Sequence, residues 1–69
     1  MELVEYVKSL GYKDVRVVSV SSNRIVLEAD GWTIDIVFKD PQIYVKVYRL
    51  NPDLAMKIWS FLVKELRVY

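Results

Sequence analysis

Residues 15–38 read VRVVSV-SS-NRIVLEA-DG-WTIDIVF, three apolar-rich runs separated by two short turns. Asp30-Gly31 is the sharpest local signal: a two-residue type I′ hairpin turn needs positive φ at both central positions, which Asp-Gly tolerates. That turn sets Ala29 opposite Trp32, Leu27 opposite Ile34 and Ile25 opposite Ile36, all on one side. Upstream, Ser22-Asn23 makes a second turn, with Asn accepting left-handed geometry, and sets Val20 opposite Ile25 and Val18 opposite Leu27. Downstream, Lys39-Asp40-Pro41-Gln42 makes a third, with Pro41 unable to donate to a ladder, and sets Phe38 opposite Ile43, Ile36 opposite Val45 and Ile34 opposite Val47. Three separate turns thus gather the apolar side chains of four strands, 13–21, 24–29, 32–38 and 43–49, on one face of an antiparallel meander.

Helical periodicity flanks the sheet. Leu3, Tyr6, Val7 and Leu10 share one side of a short helix over 2–10, with Gly11 placed as its C-terminal cap. Asn51-Pro52-Asp53 starts a second helix: Asn caps, Pro takes the first helical position and Asp complements the positive dipole end. That helix runs to about residue 67. The expected fold is α+β, a two-layer α-β-β-β-β-α arrangement in which both helices cover the apolar sheet face.

The chain has 69 residues, enough for one domain, and 54% of them are hydrophobic. A chain of this length buries only about 60% of its unfolded surface, so that apolar content implies dense packing or a partner. With no Cys and no His there is no disulfide, no thiolate, and neither the commonest general base nor the commonest metal ligand. Catalysis is not expected, nor is a metal or cofactor: Glu28 and Asp35 are an isolated carboxylate pair on an open sheet, and Gly11 and Gly31 are cap and turn rather than a phosphate loop. Ten basic and nine acidic residues give a net charge of +1, too balanced for a scaffold held mainly by counterion release. No apolar run approaches a membrane span and no leader is visible, so a cytoplasmic location is expected. The absence of Cys and His and the Lys/Arg/Glu/Asp-laced surface fit a thermophile's composition.

Three clusters could carry function. On the open sheet face, Tyr44, Lys46 and Tyr48 alternate along the fourth strand with Arg24 and Lys39 nearby, the pattern on which single-strand binders stack bases. The competing reading is ordinary surface chemistry, with Lys46 paired to Asp35 across the strands. At one end of the helix-covered face, the register lines up Arg16, Ala29, Trp32 and Arg49; two arginines flanking a tryptophan suit an anion or a base, or form a cation–π stack with Asp53 serving Arg49. The third cluster is apolar. The first strand, with Val15 and Val17 outward on the open face, is an edge carrying Arg16 as its only charge. The last helix is apolar over much more than one stripe, Met56, Trp59, Phe61, Val63 and Val68 extending the arc. That surplus favours a protein-interaction module, either a homodimer or a docking partner of a larger protein. The alternative is a nucleic-acid-binding module using the open face.

The helix–sheet–helix order resembles double-stranded-RNA-binding domains and frataxin-like domains in topology alone. The helix start Asn51-Pro52-Asp53 has the wrong charge for duplex phosphates, and the first helix is too sparsely acidic for the iron-binding helix of frataxins.

Overall fold

The computed structural model describes residues 2–49 and 51–66. The order is α1 (Glu2–Ser9), β1 (Val15–Val20), β2 (Arg24–Ala29), β3 (Trp32–Lys39), β4 (Gln42–Tyr48) and α2 (Pro52–Leu66). The four strands form one antiparallel sheet in sequence order, with both helices on one face. Val68, one of the apolar candidates, lies outside the described residues.

Two of the three turns between strands do what their residues dictate. Asp30 and Gly31 have φ of 48° and 88°, the two positive values that a type I′ turn demands, and Ala29 pairs with Trp32. Phe38 pairs with Ile43 as the turn chemistry implies, and the ladder continues one pair further to Lys39 and Gln42 around a cis Asp40-Pro41 bond. Gly11 (φ 107°) ends α1 in the glycine-favoured region. Asn51 caps α2, its Oδ1 accepting the Leu54 N–H at 3.2 Å. Asn23 departs from expectation: it does not adopt positive φ, and its carbonyl instead accepts the Phe38 N–H at 2.8 Å.

The core lies between sheet and helices. Leu27, Ala29, Ile34, Ile36 and Val47 from the sheet meet Leu3 and Val7 of α1 and Leu54, Ile58 and Leu62 of α2. Burying each large aliphatic side chain contributes about 1.5–3 kcal/mol.

β1 departs from the expected register. Val20 pairs with Ile25, but the pairing shifts between Val17 and Ser19, so Val17, not Val18, faces Leu27, and Val15 faces Ala29. The cause is a length mismatch between two anchors. At one end the Ser21 N–H donates to the Arg24 carbonyl at 2.8 Å. At the other, the Asp30 N–H donates to the Asp14 carbonyl, while the Asp30 carboxylate accepts the N–H groups of Lys13 and Asp14 at 3.0 and 2.7 Å. Between these anchors β1 has six residues, Val15–Val20, and its partner five, Ile25–Ala29, so one residue must bulge. Upstream of the bulge every side chain changes face: Val15 and Val17 join the helix side and Arg16 moves to the open face.

Candidate functional site on the open sheet face

The ladder brings Arg24, Lys39, Tyr44, Lys46 and Tyr48 together around Val37 and Asp35, where they line a shallow concavity of about 480 Å³. All five open-face candidates read from the sequence meet here. Tyr44 and Tyr48 are half-exposed, and the Tyr44 hydroxyl hydrogen-bonds the Gln42 side chain.

The charges pair differently from the simplest cross-strand rule. Asp35 stands directly opposite Lys46, yet its carboxylate is taken by Arg24 on the neighbouring strand, Nε to Oδ1 at 2.9 Å and Nη2 to Oδ2 at 2.5 Å. A planar fork matches a carboxylate with two parallel bonds, which a lysine cannot do. Asp35 is only 7% exposed, and its hydrogen bond and charge hold the Arg24 guanidinium still more firmly protonated. Arg16, moved to this face by the bulge, donates from Nη2 to Glu28 at 2.7 Å and lies 3.9 Å from Asp14. Both acidic side chains of the strands' open face are thereby neutralised by arginines. Lys39 and Lys46 form no ion pair among the described residues.

The second expected cluster does not assemble. Arg16 lies across the sheet from the helix side, because the bulge reverses its direction. Arg49 leaves the strand at φ 86° rather than pairing opposite Trp32, and its Nη1 would lie 3.9 Å from a Cβ on Gly31. No cation–π stack on Trp32 occurs among the described residues. Asp53 serves Lys57 at 3.0 Å instead of Arg49, holding that ammonium above its ordinary pKa.

The apolar surplus divides. Phe61 is half-buried, its ring stacked on Tyr6 with centroids 4.3 Å apart, and the Tyr6 hydroxyl donates to the Lys57 carbonyl at 3.3 Å. The short α1 therefore covers more of α2 than its length suggests. Val63 is also half-buried, in a groove with Ile43 and Trp59. Trp59 is half-exposed, but its indole N–H donates to the Ile43 carbonyl at 3.0 Å. Met56 remains 69% exposed beside it. On the far edge of the sheet Val17, Val18 and Val20 are exposed, at 42%, 56% and 57%, and Val15 is half-buried. Among the described residues the exposed aliphatic surplus thus falls in two patches at opposite edges of the sheet rather than one broad face.

No group of His, Cys, Asp or Glu suited to a metal ion occurs among the described residues, and none of their helices is long and apolar enough to cross a membrane. No known family model, curated protein or solved structure matches the chain.

Proposed function

We propose that this chain is a small non-enzymatic, cytoplasmic binding module whose open sheet face holds single-stranded nucleic acid. One observation carries the reading. The arginines neutralise Glu28 and Asp35, so the carboxylates that would repel phosphates are offset, while Lys39 and Lys46 have no carboxylate partner among the described residues and stand beside two half-exposed tyrosines. Lysines beside a sheet-borne aromatic pair suit a strand whose bases stack on the rings and whose phosphates meet the ammonium groups. The face is broad and shallow, which admits splayed bases; among the described residues no helix start or basic loop is arranged for a duplex. The same ion pairs weigh against acid–base work by Glu28 and Asp35, since each carboxylate is already held by a cation.

The test is fluorescence anisotropy with a labelled ten-nucleotide single strand at low salt. Lys46→Glu is expected to weaken binding about tenfold, and wild-type affinity should fall with salt with a log–log slope of about −1.4 to −2.1, as two or three neutralised phosphates require. Binding that ignores both salt and Lys46→Glu would remove this site from consideration.

A second reading is favoured by the exposed Val17, Val18 and Val20 on the β1 edge: a protein partner, or a second copy of the chain, covering that edge. It predicts concentration-dependent dimerisation in sedimentation equilibrium, or a protein ligand whose binding Val18→Glu abolishes. A strictly monomeric chain that binds oligonucleotides would favour the first reading.

A further inference from the structure

The Arg24–Asp35 pair has an unspent half. A guanidinium carries five N–H donors in a fixed plane. Asp35 takes the Nε edge, one donor from Nε and one from Nη2, leaving the Nη1/Nη2 edge with no partner among the described residues. Asp35 is buried while the Arg24 side chain is 55% exposed, so the anchor sits in the sheet and the fork faces the concavity. A free arginine samples many rotamers and loses that freedom on binding. This one is already held by Asp35, and its side chain lines the same concavity as Tyr44 and Tyr48.

We propose that Arg24 is the base-reading or phosphate-clamping group of the strand-binding face, and that Asp35 is its positioning residue. The inference rests on the nucleic-acid reading above. The ligand group it requires is a double acceptor on the bound strand, two acceptor atoms spaced to meet both N–H groups. The O6/N7 edge of guanine is one and a phosphate is the other, each matching the fork with two bonds. Lys39 and Lys46, as point charges, supply general attraction to the backbone and discriminate nothing.

Asp35→Asn is the decisive variant, because two accounts give it opposite signs. If the face attracts a strand by net charge alone, removing a carboxylate tightens binding. If Asp35 positions Arg24, the neutral amide no longer holds the fork, and binding weakens severalfold despite the gain in positive charge. The probes are an oligothymidylate and the same strand with two central guanines, each titrated into wild type, Asp35→Asn and Arg24→Lys, with thermal melts to establish folding. The expected result is a wild-type preference of about tenfold for the guanine strand. That preference disappears in both variants, while thymidylate binding by Arg24→Lys is retained. Equal wild-type affinity for the two strands, with Asp35→Asn weakening both, identifies a phosphate as the acceptor and equally supports the positioning role. Should Asp35→Asn fail to fold, Arg24→Lys decides by loss or retention of the guanine preference or of overall affinity. Binding that Lys46→Glu abolishes but that neither Asp35→Asn nor Arg24→Lys reduces would overturn the inference and leave the nucleic-acid reading intact. No binding of either strand by wild type overturns both.

Discussion

At the scale of single residues, Asp30 governs more than its turn. Its backbone forms the type I′ corner, and its carboxylate accepts two N–H groups from Lys13 and Asp14, across 17 and 16 residues of sequence. Those hydrogen bonds, Asp14 first and Lys13 second, lower its pKa, since they favour the charged form. A carboxyl depressed in the folded state contributes stability above its unfolded pKa of about 3.9, and that contribution is lost as pH falls through the lower folded value. Asp30→Asn keeps the turn but loses the charge. The gap in melting temperature between wild type and Asp30→Asn should therefore be constant above about pH 5 and close progressively in more acid solution. A gap that does not change with pH would mean the carboxylate is not held by those amides. The turn was legible from Asp-Gly alone; the anchor was not, because its partners lie far away in sequence and are backbone groups that no side-chain pattern marks. The open face shows the same division. Its five residues were legible from strand alternation, but Asp35's choice of Arg24 over Lys46 follows from fork geometry across a diagonal, which pairing rules do not encode.

At the scale of elements, the two sheet edges are blunted by different devices. On β4, the Phe38 N–H points to β2, so the Phe38–Ile43 pair is the non-hydrogen-bonded kind and Ile43 turns its own backbone outward. Trp59 satisfies that outward carbonyl. Trp59→Phe removes the donor and part of the ring's contact area, and should cost at least the net worth of one hydrogen bond, about 0.5–1.5 kcal/mol, in urea unfolding. An unchanged midpoint would mean that water replaces the indole without loss. On β1 the bulge serves. The run VRVVSV places valine at both parities, so its hydrophobic pattern accepts either register, and the choice falls to the anchors at its two ends. That is why the sequence predicted Val18 inward and Arg16 on the helix side, while β2, β3 and β4, which alternate cleanly, paired as their turns required. Deleting Val18 equalises the two sides at five residues and leaves a regular ladder. The variant should stay folded by circular dichroism and lose its edge protection, self-associating with rising concentration in sedimentation velocity. Loss of the fold would show that Val18 is not an insert between anchors. A folded deletion variant that remained monomeric would show that the bulge is not what protects the edge.

At the scale of the whole molecule, the helix layer is narrower than the sheet it covers. α1 is eight residues long, about 12 Å, and α2 lies along β4, so the distal half of β1 projects beyond both helices. This explains why Val20, although on the helix-side face with Ile25, is 57% exposed, while Ile34 and Ile36 on β3 are fully buried. The two-layer plan was legible because apolar alternation assigns a face; the extent of cover was not, because it depends on where two helices of unequal length come to rest. The difference has an energetic consequence. Truncating a fully enclosed aliphatic side chain loses both its transfer free energy and the contacts around the cavity it leaves, about 2–5 kcal/mol for Ile→Ala. Truncating an exposed valine loses little of either, within about 0.5 kcal/mol. Ile34→Ala should therefore remove much of the stability of a domain whose total is on the order of 5–15 kcal/mol, whereas Val20→Ala should be near neutral in chemical denaturation. The comparison also tests the monomer. If a second chain covers the β1 edge in solution, Val20 is buried there, and Val20→Ala costs more as protein concentration rises. A cost that is small at every concentration means that no second chain covers Val20 and that the β1 edge stands open to water.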